Sequence, residues 1–77
     1  KHVVVTGVFH EISRDELEYR ILEKGGILRK GLSKQTNFVF LGSEPGPAKI
    51  EKIFELQRNG QKIQVILAKD IHKYINI

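Results

Sequence analysis

The apolar residues of this chain fall in short continuous runs, separated by stretches that repeat every three or four positions. Val3-Val4-Val5 is a β-branched run closed by Thr6-Gly7. A run without polar alternation predicts a strand buried on both faces, as in a parallel sheet covered by helices. Ser13 then offers an N-cap, with Glu16 at the matching position of a capping box. Ile12 before the cap and Leu17 after it form a hydrophobic staple. Leu17, Ile21 and Leu22 give the predicted helix its apolar face, and Gly25-Gly26 stops it.

Ile27-Leu28-Arg29 predicts a short second strand, Lys30–Asn37 a polar loop, and Phe38-Val39-Phe40-Leu41 a third strand. Gly42–Gly46 turns out of that strand, and Pro47 suits the first position of a second helix. Ile50, Ile53, Phe54 and Gln57 keep helical spacing there, with Ala48 and Leu56 widening the stripe and Asn59-Gly60 ending it. Ile63–Leu67 predicts a fourth strand, and Asp70–Ile77 a last short helix with Ile71, Tyr74 and Ile75 inward. The order is β-α-β-β-α-β-α, an α/β chain with a mostly parallel sheet covered on both faces. Local rules alone join the second and third strands as an antiparallel hairpin, because a parallel link ordinarily needs a longer crossover.

Length and composition narrow the picture. Seventy-seven residues make one small domain, 1–77. The 40% apolar and 29% charged content suits a soluble folded chain. No apolar run approaches the ~20 residues of a membrane span, and the start lacks the layout of a signal peptide. An intracellular protein with no membrane partner is expected. The absence of cysteine excludes a disulfide framework, a thiol nucleophile and a cysteine-type zinc site. The absence of methionine sets the expectation of a module excised from a larger protein. The formal charge of +4 permits an anionic partner without selecting one.

Tests for catalytic and metal chemistry fail. Gly26 and Gly31 have phosphate-loop spacing, but Leu32 stands where a lysine is required. His2, His10 and His72 lack metal-ligand spacing. Ser13 and Ser33 are explained by capping and turn formation. A non-catalytic domain without cofactor or metal is therefore expected.

Two cations stand out by position. Arg14 follows the Ser13 cap directly, and Lys49 lies in the first turn after Pro47. A cation at a helix N-terminus costs on the order of 0.3–1 kcal/mol. Both helices begin where a strand has just ended, so a parallel sheet brings both starts to its carboxyl edge, where open α/β sheets bind ligands. Thr6 and Gly7 leave the first strand at the same edge. Singly, the threonine suits a strand, the glycine a turn, and each cation a solvated surface. Together, a hydroxyl, a free amide and two cations around helix N-termini describe a phosphate site. Lys1, Lys30 and Lys34 add a diffuse basic surface beside it, open to peripheral contacts with an anionic partner or serving only as solubility charges.

Val5-Thr6-Gly7, Ile12-Ser13-Arg14-Asp15-Glu16, Gly25-Gly26, Leu32–Asn37 and Gly46–Lys52 occur in an order and spacing that resemble a BRCT domain over nearly the whole chain. The closest likeness is to the branch in bacterial NAD-dependent DNA ligases and the large subunit of the eukaryotic clamp loader. Glu55–Gly60 followed by Gln61-Lys62-Ile63 is similar to domains ending some exonucleases related to the polymerase III proofreading subunit.

The resemblance implies a three-layer fold with a four-stranded parallel sheet in the order 2-1-3-4. The first and third helices would cover one face and the second the other, which overrules the hairpin. It implies a phosphate pocket made by Thr6, the Gly7 backbone and Lys49, with Arg14 helping to hold the 5′-phosphate of duplex DNA. Family members often bury a tryptophan in the last helix; here Ile71 or Tyr74 would fill that space. The implied function is a non-catalytic module of a DNA replication or repair protein, monomeric in isolation, that binds phosphates at DNA ends or nicks. The alternative is an interaction module that recognises a phosphoprotein or docks a partner domain. Phosphopeptide recognition usually takes two tandem copies, which weakens that alternative for a single one.

Overall fold

The computed structural model describes residues 1–74. Strand β1 (His2–Thr6) leads to helix α1 (Arg14–Glu23), strand β2 (Ile27–Arg29) and strand β3 (Thr36–Leu41). Helix α2 (Pro47–Arg58), strand β4 (Gln64–Leu67) and a 3₁₀ helix (Ala68–Lys73) complete the chain. The strands form one sheet in the order β2-β1-β3-β4, and every pairing is parallel.

The hairpin expected from local rules is thus replaced by two strands flanking β1. The segment between them acts as the crossover. Leu32 packs against the core on the α2 side, so this short connection crosses that face instead of turning tightly. β3 begins at Thr36, two residues earlier than expected, because Thr36 pairs with His2. The register then slips, and Val3 opposes Phe38. Asn37 occupies the extra position, and its Oδ1 accepts a 2.8 Å hydrogen bond from the His2 amide.

The uninterrupted Val3-Val4-Val5 run has its predicted consequence. Val3 and Val5 enter a core with Leu17, Ile21, Phe40 and Ile71, while Val4 enters a second core with Val39, Ile53 and Leu56. The sheet therefore has α1 and the 3₁₀ helix on one face and α2 on the other.

Helix starts follow the sequence closely. Ser13 Oγ accepts from the Glu16 amide at 3.2 Å, and Ile12 and Leu17 share the α1-side core. The edges of the helical stripes do not. Leu22 is 55% exposed and Phe54 57% exposed. Each follows a buried residue, Ile21 and Ile53, and one residue is 100° of helical rotation, enough to carry a side chain off the buried stripe. The last helix is a 3₁₀ helix that starts two residues before Asp70. Ile71 is fully buried, whereas Tyr74, expected inward, is 42% exposed, with its hydroxyl accepting from Gln64 Nε2 at 2.6 Å. Ile75, also expected inward, lies outside the described residues.

Candidate functional site

The carboxyl ends of β1 and β3 are adjacent, with Thr6 opposite Leu41. α1 departs from one of these strands and α2 from the other, toward opposite faces. This is the switch point at which open α/β sheets hold ligands. The two departing loops are joined by a short seam. Gly42 N donates to Thr6 O, Val8 N to Ser43 O and Ser43 N to Val8 O, each at 2.8 Å.

Glycines make that closeness possible. Gly7 has φ 89°, and a methyl group there would lie 2.8 Å from Gly42 C and Ser43 O. A methyl group on Gly42 would overlap the Val8 backbone. The sequence reading assigned Gly7 a role but treated Gly42 only as part of a turn, and it missed Val8 and Ser43. The signal was a glycine following each of two facing strand ends.

Thr6 is buried, and alternation along β1 puts its side chain on the face of Val4, beneath α2. Among the described residues neither the Thr6 hydroxyl nor the Gly7 amide has a hydrogen-bond partner in the protein. Lys49 is half-buried in the first turn of α2, at the i, i+4, i+7 spacing that it shares with Ile53 and Leu56. The sequence thus sets its stem toward the sheet. No ion pair to Lys49 occurs among the described residues.

The two helix N-termini differ electrostatically. α1 is capped by Ser13 and carries Asp15 and Glu16 in its first turn. α2 starts from Gly46, has no side-chain cap, and has no acidic residue in its first turn. Its amides and macrodipole therefore face the sheet edge uncompensated.

Arg14 requires a revised reading. Its Nη2 donates to Val5 O at 2.6 Å and its Nη1 to Gly7 O at 3.5 Å, while Nε lies 3.5 Å from Glu18 Oε2. Carbonyls at the end of β1 offset its unfavourable place at a helix start, so that place by itself does not call for a bound anion. For Lys49 the argument stands. Arg14 nonetheless lies against Gly7, at the same edge as Thr6.

Lys30 leaves β2 at the carboxyl edge, one strand across from β1. Lys34 lies by the turn in which Thr36 Oγ1 accepts from Ser33 N at 2.9 Å, at the start of β3. That is the opposite edge of the sheet, about 16 Å away at ~3.3 Å per residue. Lys1 is at that far edge too, its Nζ 5.8 Å from the centre of the Phe38 ring.

The structure therefore gathers Thr6, Gly7, Arg14 and Lys49 at one edge, with Lys30 beside them and Lys34 remote. A hydroxyl, an amide, a helix N-terminus and an ammonium suit a phosphate dianion. Among the described residues no group of three or more side chains is placed to hold a metal ion, and no helix is long and apolar enough to cross a membrane.

Comparison with known proteins agrees with this architecture. The family model for the BRCA1 C Terminus (BRCT) domain matches residues 1–72. A DNA ligase of Flavobacterium johnsoniae is 46% identical over 56 residues, 73% of this chain and 8% of the ligase. A DNA ligase of Flavobacterium psychrophilum is 41% identical over 70 residues, 91% of this chain and 10% of the ligase. A DNA ligase of Roseiflexus castenholzii is 39% identical over 56 residues, 73% of this chain and 8% of the ligase. The chain thus spans a tenth or less of the length of these relatives. All three are named DNA ligases, and the similarity of Glu55–Ile63 to the exonuclease type has no counterpart among them. With the family model covering all but five residues and the parallel 2-1-3-4 sheet in place, the chain belongs to the BRCT family.

Proposed function

We propose that this domain binds the terminal phosphate of DNA at ends or nicks, as the non-catalytic module of a longer DNA replication or repair protein. The observation that carries the reading is the start of α2. It is uncapped, free of acidic residues and marked by Lys49, and it shares its edge with the unpartnered Thr6 hydroxyl and Gly7 amide. Thr6 Oγ1 and the Gly7 amide donate to phosphate oxygens, Lys49 supplies the charge, and the α2 N-terminus adds its dipole. Arg14 closes the β1 side, with guanidinium donors beyond those given to Val5 O and Gly7 O. Lys30 contacts a neighbouring phosphate.

The chemistry of the pocket is that of a phosphate dianion, which a phosphoprotein also presents. DNA is preferred because the relatives above are named DNA ligases. An NMR titration with 5′-phosphorylated duplex tests the assignment. Shifts clustered at residues 6–14 and 47–49 are expected. Shifts confined to the amino edge, around Lys34 and Lys62, would displace the site.

A further inference from the structure

Acidic residues are distributed unevenly. None occurs from Lys24 to Ser43, a stretch that contains Lys24, Arg29, Lys30 and Lys34. The other nine cations are matched by the nine acids, so the whole formal charge of +4 belongs to this stretch. In the fold it forms β2, the loop after β2, and β3. β3 lies inside the sheet, whereas β2 is an edge strand. Of the four cations in the stretch, Arg29 and Lys30 therefore stand together on the β2 edge.

Arg29 and Lys30 are both exposed, and neither has an ion-pair partner among the described residues. With Leu28, Gly31 and Ser33 they line an open cleft of about 400 Å³. Arg29 stands in register with Val4, so Lys30 emerges at the level of Val5, whose carbonyl holds Arg14. Lys30 thus brings one end of the cleft to the carboxyl edge, on the strand next to β1 at a spacing of ~4.8 Å. At the opposite edge β4 itself, Gln64–Leu67, is uncharged; near it Lys73 is paired with Asp70 at 3.5 Å, and the exposed Lys62 and Lys69 lie beyond its two ends instead of side by side on the strand.

We propose that duplex DNA held at the carboxyl edge runs over the β2 side, where Arg29 and Lys30 neutralise backbone phosphates next to the terminal one. This inference rests on the DNA reading of the pocket and adds to it a direction and, beside Lys30, a contact from Arg29. The contacts are indifferent to base sequence, since they meet only the backbone.

Salt dependence on a duplex with 5′-hydroxyl ends tests it. Arg29→Ala/Lys30→Ala is compared with Lys62→Ala/Lys69→Ala, a pair of exposed lysines flanking β4 that removes the same charge. Two lost phosphate contacts lower the slope of log K against log salt by about 1.8. The affinity deficit of the β2 variant then shrinks about 12-fold between ~50 and ~200 mM salt, whereas the β4 variant keeps the wild-type slope. Equal slope losses in both variants would show only the field of the whole protein, and an unchanged slope in the β2 variant would remove the contacts; either overturns the proposal. The terminal-phosphate pocket is scored separately, as wild-type preference for 5′-phosphate over 5′-hydroxyl ends. No preference together with a loss of slope confined to the β2 variant faults the pocket and sustains the β2 track.

Discussion

Substituting alanine for Gly42 isolates the contact that holds the two site-bearing loops together. A methyl group at this position would stand 2.8 Å from Val8 C and 3.0 Å from Val8 N, both backbone atoms that no side-chain rotation can move. The seam must then open. Three backbone hydrogen bonds of 2.8 Å cross it, from Gly42 to Thr6 and in both directions between Val8 and Ser43. Each contributes about 1 kcal/mol net, so Gly42→Ala costs about 2–3 kcal/mol. At ~4–8 °C per kcal/mol for a domain of this size, Tm falls on the order of 10–20 °C. Circular dichroism melts and urea titrations measure both quantities.

Gly31→Ala is the matched control. Nothing lies within 4 Å of a methyl group there and its φ is not left-handed, so stability should hold or rise by up to ~1 kcal/mol. If Gly42→Ala melts within a few degrees of wild type, the seam is not closed as described. The reasoning from close backbone approach would then fail.

Other substitutions probe separate parts of the account. Ser13→Ala removes the acceptor for the Glu16 amide and should cost about 0.5–2 kcal/mol in urea unfolding. Ile71→Ala, at a fully buried site, should cost about 2–5 kcal/mol. Tyr74→Ala should cost less than Ile71→Ala, because the tyrosine is 42% exposed and its hydroxyl makes a surface hydrogen bond to Gln64; equal losses would mean that the tyrosine is also part of the core. Lys49→Ala should leave the melt nearly unchanged and abolish the preference for 5′-phosphorylated ends in a fluorescence titration; a retained preference would take Lys49 out of the site.

Much of this was legible in the sequence because its local signals agree with one another. The valine run, the Ser13 cap and Pro47 each specify a strand or a helix start, and the structure follows them; of the expected capping box it forms the Ser13 half, while the Glu16 carboxylate faces Arg20. The β2–β3 connection was not legible from local rules. Its course depends on Leu32 finding the far core, a contact that no spacing announces. Leu22 and Phe54 show the same limit at finer scale, since hydropathy marks a stripe without marking where it ends.

At the site, Thr6, Gly7 and Lys49 could be picked out because topology carries strand ends and helix starts to one edge. The carbonyl bonds of Arg14 could not be foreseen. They depend on where a long side chain folds back, and they give that residue a partner within the protein. The Gly7–Gly42 approach lies between these cases, visible only once β1 and β3 are known to be neighbours.

The central claim is that the carboxyl edge recognises a terminal phosphate and not merely negative charge. Its most direct test is the affinity of this chain for one duplex prepared with and without a 5′-phosphate, at the same salt concentration. Two to three charge-assisted hydrogen bonds to the added group should make the phosphorylated duplex bind at least ~10-fold more tightly. Equal affinity for the two duplexes would contradict it.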